Sequence, residues 1–507
     1  MTTHKKLRTI IAAITAAGIL CTMPAGFAAE ATPTAAAQPA EQTATAAPAQ
    51  QTSKPFATVR VGKKWGAVAP SGSLVIPAEY DEIASYSADA VAVRQGKNWG
   101  IVRLDGTVIV PTIYKAIHPL AADTIIVQNT KDMYGAYDTA GKLLLPVEYR
   151  SVTPFYDGIS RVERKDKKFV FYRRDGSLLT NDAYLWASRF SEGLAVVEPT
   201  KNKMGYIDTN GSEAIPVRFE NAMIFQEGLA PVAVKKKWGF IDKSGTMVIQ
   251  PQFRAKSIGG FSDGLAMIKE KKHWAFIDKT GAKVIQTRYE DVDSFENGLA
   301  EVRREVKVGL LGGFLTSAVS FATGIPTFGV GTDLIGEKVK RGYIDKTGAE
   351  IISTKNDYNS FFMDGVALVR VKSKWGMVDR KGAYVVEPKY KGIHFFYDDL
   401  AAVQDGDKWG FVGRDGKIVI EPKYDEVHDF TDGIAAVRQG GKSFFIDKTG
   451  RVPFLLPNNI TDIGMFNKGL APVKIGDKWG FIDKKGTVVI PPAYNEVLTH
   501  QYETDKL

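Results

Sequence analysis

The residue types that could carry chemistry in this chain recur along it rather than converge. Adjacent carboxylates stand at Asp81 and Glu82, Glu290 and Asp291, and Asp425 and Glu426, the pairing that general acid and base catalysis would use. Neighbours on a strand point to opposite faces, and all three pairs follow the same kind of aromatic residue, so they mark a repeat position. An aspartate recurs eight times in one register, including Asp138, Asp242, Asp278, Asp345 and Asp483. Calcium needs several oxygens converging on one ion, whereas the DKTG and DKSG strings offer one carboxylate beside a lysine, so these aspartates are expected to cap turns. His118, His273, His394, His428 and His500 are widely spaced and form no HExxH or other metal pattern. Cys21, the single cysteine, rules out a disulfide framework and a cysteine zinc site. No catalytic residue, cofactor or metal is expected.

What positions these residues is a repeat of 34 to 36 residues. One slot falls at Trp65, Trp99, Tyr134, Phe169, Met204, Trp238, Trp274, Arg341, Trp375, Trp409, Ser443 and Trp479, so seven of the twelve are tryptophan. Glycine follows the slot in nine copies, and another glycine stands seven residues after it in all twelve. In the clearest copy, Leu229 to Val234 reads as a strand, Lys235 to Lys237 as a turn, and Trp238 to Asp242 as a second strand. Trp238 and Phe240 point one way and Ile241 the other, so both faces need cover. Asp242 to Gly245 makes a tight turn into a third strand, Thr246 to Ile249, which Pro251 is expected to end. An aromatic residue follows fifteen positions after the slot, with a short fourth strand expected there, as in Tyr424 to Val427. A second aromatic comes six residues later, as at Phe225 and Phe430.

One such meander cannot bury its own rings, but stacked copies can, so the seven slot tryptophans are assigned to a repeated core. The glycine after the slot is expected to let a neighbouring strand or ring approach closely. The fold class is therefore all-β, a tandem array of about twelve antiparallel meanders. Propellers usually have four to eight blades, so a propeller would need two rings of about six; the uninterrupted spacing favours a continuous propeller-like array or an open β-solenoid.

Strings such as KKWGFIDKSG (236–245), DKWGFIDKKG (477–486) and DKWGFVGRDG (407–416), followed by IPPAY or IEPKY, resemble the WG-repeat family of bacterial proteins. The resemblance covers nearly everything from Phe56 to His500 and implies a repeated β architecture, often on exported proteins, with no shared catalytic mechanism and no ligand. Arg341 and Ser443 depart at the slot, Val170, Ala275 and Phe444 depart at the glycine, and Asn181 interrupts the proline region. Those copies are expected to be weak joints or special surfaces.

Residues 1–28 read as a signal peptide: Lys5, Lys6 and Arg8 precede the apolar run from Ile10 to Met23, and Pro24 to Ala28 supply a breaker and small residues. Cys21 is not read as lipid-modified, because bulky Leu20 precedes it. Residues 29–54 are rich in Ala, Pro, Thr and Gln and read as a disordered tether. Repeats one to seven and the start of the eighth span 55–305, an apolar insertion spans 306–340, and the remaining repeats span 341–507. From Val308 to Thr332 the insertion has no charge, and its apolar pairs are spaced as on a helix. It presents Phe314, Phe321 and Phe328 as candidate partner contacts; its helical stretch of about 17 residues is slightly short of a bilayer and its polar face lacks lysine and arginine, so a protein contact is preferred to membrane contact. Trp186, which lies outside the tryptophan slot, is the other candidate contact.

The formal charge of +9 falls to about +6 without the first 28 residues, too dilute over such a length to imply nucleic acid. The function expected is an exported, non-enzymatic scaffold binding protein partners in the periplasm or at the cell surface. The alternative is an envelope glycan-binding or adhesion module, using exposed rings between repeats.

Overall fold

A computed structural model describes residues 57–305 and 339–498. They form twelve small antiparallel sheets, ten of four strands and two of three. In chain order, sheet 6 is representative, with strands Asn221–Ala222, Ala230–Val234, Lys237–Ile241 and Met247–Phe253 each paired to the next. Its alternation buries Phe240 and Ile241 on opposite faces: Phe240 packs with Ile258 and Phe261 of sheet 7, Ile241 with Tyr206 and Phe219 of sheet 5.

That two-sided packing repeats around the molecule. Each of twelve buried clusters draws its residues from two consecutive sheets. The cluster that completes the circuit joins Leu470, Phe481, Ile490 and Tyr494 of sheet 12 to Ala57, Val59 and Val68 of sheet 1. The array is thus one twelve-bladed β-propeller, neither two rings nor an open solenoid. Many seams carry an aromatic pair across the sheets, such as Tyr206 with Phe225 at 5.1 Å and Phe411 with Phe430 at 4.7 Å, in tilted or edge-on geometries that the ring quadrupoles favour.

Two expectations are corrected. The third strand of the clearest copy does not end at Pro251 but runs to Phe253. Proline is tolerated because this strand is the sheet's edge and bulges there: Trp238 pairs with Phe253 and Phe240 with Ile249, with a register shift between them. The residues after the first aromatic do not add a fourth strand to their own meander either. Glu426–Val427, separated from Tyr424 by Asp425, pairs with Ile434–Gln439 of the next sheet. Every meander therefore hands a strand forward, and the last hands Glu496–Leu498 to Ala57–Val61, closing the ring by hydrogen bonding as well as by packing.

The three copies without the slot glycine are all irregular sheets, and sheet 8, whose slot holds Arg341, is a fourth: its edge strand is only Glu350–Ile352 although Gly342 follows the slot. Sheet 4, with Val170, and sheet 11, with Phe444, have three strands. In sheet 4 isolated bridges at Leu178 and Tyr184 replace the edge strand, with Asn181 in the detour between them. Sheet 7, with Ala275, keeps a four-residue edge strand, Lys283–Gln286, paired in step across Ala275 and Phe276.

The expected signal peptide (1–28) and tether (29–54) lie outside the described residues, as do Phe314, Phe321 and Phe328. Strand pairing resumes at Val339, one residue before the expected end of the insertion at Lys340, so the chain leaves and re-enters the turn between Leu299–Glu305 and Val339–Asp345 of sheet 8.

Candidate interaction faces

A meander places its first and third turns at one end of a sheet and its second turn at the other. At the first end the charges engage one another. Asp242 Oδ1 accepts from the backbone N–H groups of Ser244 and Thr246, at 2.9 and 3.0 Å, and from the Ser244 hydroxyl, while Gly245 adopts φ +82°. The serine hydroxyl, followed by the backbone donors, holds the Asp242 carboxyl below its usual range. Asp278 and Asp447 are held down likewise, led by the hydroxyls of Thr280 and Thr449. First turns are linked from sheet to sheet: Gly228 N–H donates to Glu192 at 3.1 Å, Gly264 N–H to Glu227 at 3.0 Å, and Gly469 N–H to Asp432 at 2.6 Å. Third-turn lysines complete the seams, with Lys243 on Glu192 at 3.2 Å and Lys279 on Glu227 at 3.1 Å.

At the second end the carboxylate pairs act as clamps. Asp81 accepts from Gly96 N–H at 2.7 Å and from Lys64 at 2.6 Å, and Asp425 accepts from Gly440 N–H at 2.7 Å and from Lys408. Their neighbours Glu82 and Glu426 pair with Arg94 and Arg438 across the strands. In the remaining pair, Asp291 contacts Arg303 at 3.1 Å, and the Glu290 carbonyl accepts from Trp274 Nε1. None of the three pairs faces an acid and a base across a cleft.

The slot tryptophans stand where the strand leaves this second turn. Trp274 and Trp375 are buried, whereas Trp65, Trp99, Trp238, Trp409 and Trp479 are half-buried. The deepest rings lie two residues further on, at Tyr206, Phe240 and Phe276 among others. Cationic side chains from the paired strand cover several tryptophans, such as Arg94 over Trp99 at 5.7 Å and Lys269 over Trp274 at 4.6 Å. Sheet 5 is different. Its slot holds Met204, and its tryptophan, Trp186, sits on the first strand opposite Glu198 and 37% exposed, beside exposed Leu185 and buried Tyr184.

Sequence reasoning treated the histidines as unrelated, yet His118, His394 and His428 each fall four residues after a buried tyrosine. His394 Nδ1 meets Asp429 of the next sheet at 2.8 Å, and burial pushes His118 and His428 down. His273 is exposed at the start of the strand that follows a second turn, and His500 lies outside the described residues. Among the described residues no three His, Cys, Asp or Glu side chains are grouped to hold a metal. Also missed was the gathering of lysines: the residue before the slot is lysine in nine of twelve copies, a periodicity legible in the sequence, and the topology sets all nine at one end.

Fold and turns together define a repeat propeller whose surface is two rings of recurring turns. The chain belongs to the WG-repeat family: the WG containing repeat matches residues 65–99, 134–169, 204–238, 238–272, 274–305, 342–375, 375–409, 409–442, 444–479 and 479–499, more than half of the chain. No curated protein matches it in sequence. Among solved structures it is similar to a eukaryotic initiation factor (11% identity, 88% of this chain and 97% of that one, TM-score 0.33). It is also similar to BamB from Moraxella catarrhalis (11%, 66% and 91%, 0.24) and to the WD40 β-propeller domain of Doa1 (13%, 49% and 93%, 0.23). At such TM-scores these likenesses carry no argument about function.

Proposed function

We propose that the protein is an exported, non-enzymatic scaffold that binds protein partners in the periplasm or at the cell surface. The observation that carries this reading is the use to which its reactive side chains are put. The recurring aspartates and carboxylate pairs are spent on holding turns, and what faces outward is one turn presented many times. Such a surface suits extended contact rather than the positioning of one reacting bond. The sequence of residues 1–28 supports export, and the insertion, tied to the second-turn end at sheet 8, is the most distinctive contact element.

The test is co-sedimentation of residues 29–507 with isolated cell envelopes before and after protease shaving. Binding is expected to be lost on shaving and on deletion of residues 306–340. Retention through both treatments would retire the protein-contact reading.

A further inference from the structure

The second-turn end is not uniformly charged. In sheets 4 to 7 these turns read RKDKK (164–168), KNK (201–203), KKK (235–237) and KKH (271–273), ten lysines and one aspartate on four consecutive blades. The aspartate, Asp166, is engaged by Arg164. None of the ten lysines has an ion pair among the described residues, and all but half-buried Lys237 are exposed. The nearby carboxylates are already engaged: Glu220 accepts from Lys235 N–H and Lys236 N–H, Glu198 from Asn202 N–H, and Glu163 meets Arg150. Across the ring, sheets 10 to 12 carry DGDK (405–408), GGK (440–442) and GDK (476–478), with Lys408 paired to Asp425. The unpaired positive charge is therefore densest in an arc over sheets 4 to 7, with Lys372 and Lys374 of sheet 9 and single lysines such as Lys63, Lys97 and Lys131 adding less elsewhere on the ring.

Within that arc stands Trp186. It pairs across the strands with Glu198, whose carboxylate holds the KNK turn through Asn202, so the exposed indole belongs to the same rim as Lys201 and Lys203. An indole offers a flat apolar face with a polar edge, the shape against which the C–H face of a sugar ring packs. Stacking on single-stranded nucleic acid uses successive exposed rings instead, and a flat membrane would engage the whole end of the propeller rather than a sector.

We propose that the second-turn arc of sheets 4 to 7 binds an acidic polysaccharide, its lysines meeting successive anionic groups and Trp186 stacking on a sugar ring. This goes beyond the protein-contact reading and fails or stands separately from it. The test titrates the full chain with polygalacturonate, neutral dextran, polyglutamate and an oligodeoxythymidine. Polygalacturonate is expected to bind with an affinity that falls steeply as salt rises, and dextran not to bind. The variant K201S/K203S/K235S/K236S, whose substitutions are all at exposed positions in or beside these turns, should lose about tenfold in affinity, and K442S/K478S from the opposite sector should lose less than about threefold. W186A should weaken polygalacturonate about fivefold while leaving polyglutamate unchanged. Binding indifferent to salt or to the four lysines would overturn the proposal. Equal effects of W186A on polygalacturonate and polyglutamate, or tighter capture of the oligonucleotide, would overturn it as well, in favour of an acidic protein or a nucleic acid.

Discussion

Gly239 lies so close to Ile249 that a Cβ at residue 239 would stand 2.4 Å from the Ile249 carbonyl oxygen and 2.8 Å from Pro251 N. The same contact, with the carbonyl ten residues on, occurs at all nine slot glycines, from Gly66 with Ile76 at 2.5 Å to Gly480 with Ile490 at 2.5 Å. The glycine is thus the partner of the bulge that carries the edge strand over it.

Gly239→Ala is expected to destabilise sheet 6 by about 1–3 kcal/mol, because the added methyl must displace backbone. Urea unfolding measures this. A neutral substitution would show that the bulge is freely movable.

The two rings of one copy differ in depth. Phe240 is fully buried between sheets 6 and 7, so Phe240→Ala should cost about 3–5 kcal/mol. Trp238 is half-exposed, and Trp238→Ala should cost about 2 kcal/mol. The reverse order in chemical denaturation would contradict the assignment of the deeper core to the residue two positions after the slot.

Ring closure is tested by truncation. Ending the chain after Asn495 removes the strand paired with Thr58, Val59 and Arg60, and should weaken sheet 1 by about 1–3 kcal/mol, read as faster amide exchange there. Ending it after Leu498 retains that strand and should leave those amides protected.

Acid should loosen the third turns. Asp242, Asp278 and Asp447 have folded values held below the ordinary aspartate value of about 3.9. A lowered folded value means stability that is fully present above the unfolded value and lost as pH falls through the folded one. The variant D242N/D278N/D447N should therefore show a flatter loss of stability below about pH 4 than the parent, followed by urea midpoints against pH. Parallel curves would mean that these carboxylates contribute nothing to acid lability.

Much of this was legible in the sequence for local reasons. Asp242 and Gly245 define a turn whatever surrounds them, since one bonds its own backbone and the other accepts positive φ. The alternation of Phe240 and Ile241 already demanded cover on both faces. Val170, Ala275 and Phe444 marked three of the irregular sheets because no side chain fits beneath a bulged edge, whereas the shortened edge of sheet 8 occurs with Gly342 in place.

What the sequence determined by itself is the unit: the repeat, its strands and turns, and the rings that one copy cannot bury alone. The tertiary structure decided which sheet each strand joins, that the ring closes at twelve, and that lysines far apart in the chain share one arc. The reason is that strand pairing and charge proximity are relations between distant segments. Glu496–Leu498 carries the same kind of pattern as any other first strand, and only the packing of sheet 12 on sheet 1 brings it to Ala57–Val61.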